Sequence, residues 1–203
     1  MKDIKARSRT AAVAPALFLG RLGLSPNALT VLGSLLTASV GLLVAQGWLL
    51  AAGICLWLFA ATDTLDGALA RATQRVTIFG AFLDSVCDRY AEACVFLGVL
   101  WRYHVAGDLL GVGLTYVAII NSLMVSYARA RAEGVGLQAA EVGWFQRPER
   151  IIALGVGFIV AQFYPPFLLL VLALLAVLTL VTVLQRVLHV ARATTRDPPP
   201  TTP

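Results

Sequence analysis

Four aspartates, Asp63, Asp66, Asp84 and Asp88, fall within 26 positions of an otherwise apolar stretch. On an insertion scale, one aspartate at the centre of a membrane helix costs roughly 2.5–3.5 kcal/mol. Four without partners would cost about 10–14 kcal/mol, comparable to the whole stability of a folded domain. Either a cation meets them or they lie near the membrane surface. Oxygen donors with no His or Cys among them suit a hard dication, Mg²⁺ or Mn²⁺. Two such ions about 4 Å apart form a clamp for in-line attack at phosphorus.

The elements that must position these carboxylates follow from the spacing. Asp63 and Asp66 are three apart and Asp84 and Asp88 four apart, so each pair shares a helix face. The polar run from Arg71 to Ile78 reads as a tight turn between two helices. At ~1.5 Å per residue, Asp66 and Asp84 each lie about 9 Å from that turn, and Asp63 and Asp88 about 14 Å. Two antiparallel helices therefore present four carboxylates at matched depths. Gly67, Ala70, Gly80 and Ala81 are small enough to let a backbone or a ligand come close.

The rest of the chain reads as an all-α integral membrane protein. Of its 203 residues, 59% are hydrophobic and 13% charged, which argues against a soluble domain. The net charge of +5 could suggest nucleic acid, but the basic residues sit between apolar runs and no basic–aromatic groove pattern is present. Six apolar segments, near 27–46, 49–71, 78–101, 109–131, 148–163 and 166–187, approach the ~20 residues that a spanning helix needs. The basic segment 1–26 is expected to be an amphipathic helix on the membrane surface. Residues 27–190 form the six-helix domain, and 191–203 a proline-rich, disordered tail. Six spans put both termini on one side. That side collects fifteen of the sixteen Lys and Arg residues, leaving Arg102 alone opposite, so termini and aspartates are expected to be cytoplasmic. Cys55, Cys87 and Cys94 lie in apolar spans and read as packing residues.

Asp63-x2-Asp66-Gly67-x2-Ala70-Arg71-x8-Gly80-x3-Asp84-x3-Asp88 resembles the signature of the CDP-alcohol phosphotransferase family, with all eight specified positions filled. The resemblance implies a CDP-linked lipid, CDP-diacylglycerol, as donor. It also implies two Mg²⁺ ions (or Mn²⁺) on Asp63, Asp66, Asp84 and Asp88, with Asp88 as general base and CMP as leaving group. Gly67, Ala70 and Arg71 match positions that contact the CDP group, and Thr77 could hydrogen-bond it. Pro26, Asn27, Ala28 and Leu29 resemble the family's Pro-Asn-x-x-Thr stretch, which lies along the same site. A homodimer in a bacterial plasma membrane is also implied.

Arg129, Arg131, Arg147 and Arg150, with Arg186 near the end of the sixth span, are expected at the cytoplasmic mouth. Guanidinium forks bind phosphate in bidentate geometry, which favours an acceptor alcohol that carries a phosphate. The segments Ser126-Tyr-Ala-Arg129-Ala-Arg131-Ala-Glu133 and Arg147-Pro-Glu-Arg150 are similar to the phosphatidylinositol phosphate synthases of actinobacterial type, which implies inositol phosphate as acceptor. Arg129 stands where that pattern has Lys, and Gln146 where it has Glu. Other readings are the same reaction with glycerol 3-phosphate, a membrane prenyltransferase, and a cation transporter with intramembrane carboxylates. Prenyltransferases carry widely separated Asp-rich motifs, and a transporter would favour mid-membrane carboxylates and repeat symmetry. The arginines could also be ordinary positive-inside anchors.

Overall fold

Helix starts and stops are set by side chains that the sequence already displays. The computed structural model describes residues 14, 15, 17, 18, 20, 21, 23–139 and 142–196, leaving out the side chains of Asp63, Thr64 and Arg196. Most of the expected surface helix, including Lys2, Lys5, Arg7 and Arg9, lies outside the described residues. Helix α1 runs Pro26–Ala45, with proline at the first turn and the Ser25 hydroxyl accepting a hydrogen bond from Ala28 N at 3.2 Å. Helix α2 runs Leu49–Ala72, α3 Ile78–Val105, α4 Leu109–Gly134, α5 Arg147–Ala161 and α6 Pro166–Arg196. Asp108 caps α4 by accepting from Gly111 N at 2.9 Å.

The chain forms two compact units, 1–102 and 103–203, whose boundary falls in the last turn of α3. In the first, α1 packs along α2. The buried stripe of α1 is Thr30, Gly33, Thr37, Val40, Gly41 and Val44, while Leu32, Leu35 and Leu42 point outward. Gly41 and Gly98 bring the backbones of α1 and α3 into contact. A Cβ on Gly41 would strike the Cys94 carbonyl, and one on Gly98 the Gly41 carbonyl. The expected tight turn between α2 and α3 is a helix stop in which Arg75 N bonds Ala70 O at 2.8 Å and Gln74 N bonds Arg71 O at 3.3 Å. Gln74 takes the left-handed conformation (φ 55°) that this stop requires. Thr77 Oγ1 then accepts from Gly80 N at 2.9 Å and starts α3.

In the second unit, α6 packs against both α4 and α5. Gln146 N donates to Glu149 Oε2 at 3.0 Å in a capping box at the start of α5. Gln146 Nε2 also donates to Gly143 O at 3.2 Å, a bond that the glutamate of the resembled pattern could not make. Helix α6 continues past 190, where the tail was expected to begin, as far as Arg196. No Gly or Pro interrupts it there, and the Thr194 and Thr195 hydroxyls bond back to Val190 O and Ala191 O. Residues 197–203 lie outside the described residues.

Among the described residues, α1, α2, α4 and α6 are long and apolar enough to cross a membrane. The other two expected spans differ for physical reasons. Helix α3, at 28 residues, is long enough but carries Asp84, Asp88, Arg89, Glu92 and Arg102. Helix α5 has 15 residues, about 22 Å against a hydrocarbon core of about 30 Å.

Candidate active site

The turn joining α2 to α3 folds the halves of the aspartate motif onto one cavity of ≈ 250 Å³. From α1 it is lined by Pro26, Asn27 and Thr30, and from α2 by Asp66, Gly67, Ala70 and Arg71. The turn supplies Arg75, Val76 and Thr77, and α3 supplies Gly80, Ala81 and Asp84. The two glycines let neighbouring side chains come close. A Cβ at Gly80 would lie 3.0 Å from Thr77 Oγ1 and 3.2 Å from Asn27 Oδ1, and one at Gly67 3.2 Å from Arg71 Nη1. They leave room for the polar groups around the cavity to converge.

Asp66 is 7% exposed and held in one orientation. Its Oδ2 accepts from Thr30 Oγ1 at 2.5 Å and its Oδ1 from Gly67 N at 2.5 Å. Asp88 lies one turn beyond Asp84 on α3, also 7% exposed, with Arg89 Nη1 at 3.5 Å from its Oδ2. Glu92 is buried one turn further on. Buried carboxylates of this kind need cationic company to remain charged. Among the described residues, no three metal-binding side chains converge on one point. The expected set of four, however, includes Asp63, whose side chain lies outside that description. Asp66 from α2 and Asp84 from α3 line one cavity whose described lining holds no Cys or His, a donor set that fits a hard dication.

Of the residues expected along the donor lipid, Pro26, Asn27, Asp66, Gly67, Ala70, Arg71 and Thr77 line this cavity. Ala28 is exposed, and Leu29 packs behind the cavity against Ala68 and Leu69. The expected acceptor arginines lie in the second unit in two kinds of setting. Arg150 and Arg186 are 1% and 2% exposed. Arg186 donates from Nε to Val142 O at 2.9 Å and from Nη1 to Val125 O. Arg147 is part-buried. Arg129 pairs with Glu133 at 2.9 Å on the surface of α4, and Arg131 is exposed. Two residues along a helix rotate by about 200°, so Arg129 and Arg131 face nearly opposite ways.

Two features escaped the sequence reading. Thr30 is the threonine of the Pro-Asn-x-x-Thr stretch, so its signal was present, yet a mid-helix threonine usually bonds back to its own helix. It does so here as well, to Pro26 O at 3.2 Å. The second is the seating of Gln138, Trp144 and Phe145 on α6. Phe145 N donates to Thr182 Oγ1 and Trp144 N to Gln185 Oε1, each at 3.1 Å, and His189 Nε2 lies 3.1 Å from Gln138 O.

The model of the CDP-alcohol phosphatidyltransferase family matches residues 23–195. The phosphatidylinositol phosphate synthase of Mycobacterium tuberculosis is 39% identical over 175 residues, which cover 82% of this chain and 79% of that protein. The archaetidylinositol phosphate synthase of Pyrococcus horikoshii is 39% identical over 169 residues, 83% of this chain and 85% of that one. Among solved structures, the M. tuberculosis synthase with CDP-DAG bound superposes with a TM-score of 0.82 at 38% identity, covering 88% of this chain and 92% of that one. The same synthase in complex with manganese and citrate gives 0.84 at 37% identity, covering 89% and 88%.

Proposed function

Because the chain belongs to the CDP-alcohol phosphatidyltransferase family, we propose that it moves the phosphatidyl group of CDP-diacylglycerol onto a hydroxyl of inositol phosphate. The products are phosphatidylinositol phosphate and CMP. The observation that carries this reading is the cavity in which both halves of the aspartate motif meet Asn27, Thr30, Arg71 and Thr77.

In this reading Arg71 and Thr77 bind the CDP diphosphate, and Gly67 and Gly80 give it room. A divalent cation held by Asp63, Asp66, Asp84 and Asp88 would neutralise the charge on that diphosphate. Thr30 and Gly67 N keep the Asp66 carboxylate aimed. The acceptor hydroxyl oxygen bonds to the lipid-side phosphorus, its proton passes to the Asp88 carboxylate, and the bond from that phosphorus to the bridging oxygen of CMP breaks. The acceptor's phosphate is assigned to Arg147, Arg150 and Arg186, with Arg129 and Arg131 contributing surface charge.

The same reading includes six spans, a surface helix before α1, a homodimer, and a cavity and termini on the cytoplasmic side. Its support is the fifteen-to-one division of Lys and Arg and the helical, exposed Leu17, Phe18 and Arg21.

The deciding assay offers CDP-diacylglycerol and Mg²⁺ with one acceptor at a time: inositol phosphate, glycerol 3-phosphate, free inositol or serine. CMP release with inositol phosphate alone is expected. Release with glycerol 3-phosphate instead would remove the proposed acceptor and leave the reaction class standing. Arg147→Ala should raise KM for inositol phosphate more than KM for CDP-diacylglycerol, and an equal rise in both would remove Arg147 from the acceptor site. Thr30→Val should weaken divalent-metal binding by about 10–100-fold, as loss of a ligand's hydrogen-bond partner does elsewhere. Metal-dependent thermal stabilisation measures this, with Thr30→Ser restoring it.

A further inference from the structure

A second cavity, of ≈ 330 Å³, adjoins the first at the C-terminal end of α2, and Pro26 and Arg75 line both. Two arginines, Arg21 and Arg75, face it together with Leu17, Leu24 and Leu69. The segment before α1 closes against α2 at this point: a Cβ on Gly20 would lie 2.7 Å from Leu69 Cδ1. Neither guanidinium has a hydrogen-bond or ion-pair partner among the described residues.

Charge and walls together define the ligand. The end of α2 contributes about half a negative charge, which opposes an anion. Two full positive charges outweigh it. Paired guanidinium forks select phosphate among anions. A free phosphate would leave Leu17 and Leu24 facing water above the buried Leu69, whereas a phosphate carried on hydrocarbon covers them.

We propose that this cavity holds the phosphodiester of an anionic phospholipid between Arg21 and Arg75, as a site separate from the one for the CDP-activated donor. Its acyl chains remain outside, along the apolar faces of the helices. The site does not depend on which alcohol the enzyme uses as acceptor. Because Arg75 lines both cavities, the bound lipid phosphate is a direct neighbour of the donor.

The test uses the full chain in phosphatidylcholine nanodiscs doped with labelled phosphatidylglycerol, and native mass spectrometry counts the anionic lipid retained. Arg21→Gln is expected to lower retention about five-fold, the effect of one basic residue near a membrane surface. It should leave CMP release in pure phosphatidylcholine unchanged, because Arg21 does not line the donor cavity. Leu24→Trp, which fills the space and keeps both charges, should lower retention to a similar extent and decides the matter if Arg21→Gln fails to fold. Wild-type retention in both variants would overturn the site and leave the arginines as general surface charge. Displacement of the lipid by millimolar inorganic phosphate would overturn the lipid as its occupant.

Discussion

Asp88→Asn should bind CDP-diacylglycerol as the wild type does and release CMP about a thousand-fold more slowly, within the usual range for loss of a positioned base. The substitution keeps shape and volume and removes only the ability to take a proton and to carry charge. Asp88 suits the role because it is nearly buried, one turn from a carboxylate that lines the cavity between α2 and α3. Arg89 Nη1 lies 3.5 Å from its carboxylate. Glu92 is the competing base, since it is also buried and lies one turn further along the same face. Glu92→Gln is therefore the paired measurement and should keep most of the activity. If Asp88→Asn retained a tenth of wild-type turnover, or if Glu92→Gln fell as far, the proton would have another destination. Loss of CDP-lipid binding in a well-folded Asp88→Asn protein would argue against the base role and trace the defect to Asp88's part in holding the cation.

The aspartate motif, the turn and the helix starts were legible because each depends on neighbours in sequence. Ser25 before Pro26 and Asp108 before Leu109 cap helices within one turn. The 71–78 turn announced itself by a polar break in an apolar run. What could not be read depends on partners far along the chain. Nothing near Arg186 says that its guanidinium reaches carbonyls at 125 and 142. Nothing near Thr30 says that its hydroxyl turns to a carboxylate 36 residues on. The opposite facing of Arg129 and Arg131 was legible, at 100° per residue, but grouping them by charge alone hid it. The span count hung on α3 and α5, where composition and length disagree. A helix that carries a charged site loses its hydropathy signal because of its function.

Gly98→Leu is expected to produce the largest loss of stability of any single substitution considered. A Cβ at Gly98 meets the carbonyl oxygen, carbonyl carbon and Cα of Gly41, all backbone atoms that no rotamer change can move aside. Overpacking a well-packed core usually costs about 1–3 kcal/mol. A leucine here must force two helix backbones apart, which puts it at or above the top of that range. Gly98→Ala is the more discriminating variant. Alanine improves helix propensity by about 0.8–1.0 kcal/mol, so a net loss with Ala isolates the close approach as the cause. Gly113 is the internal control, because a Cβ there meets nothing within 4 Å, and Gly113→Ala should hold or raise the thermal midpoint. The crossing also bears on chemistry. Helix α1 carries Asn27 and Thr30 to the cavity, and α3 carries Gly80 and Asp84. Prising α1 from α3 at Gly41 tilts both relative to Asp66, so turnover should fall in Gly98→Ala even in the fraction that stays folded. Thermal unfolding and CMP release on the same detergent-purified samples measure the two effects. A Gly98→Leu protein with the wild-type midpoint would mean that the helices do not touch at this glycine pair.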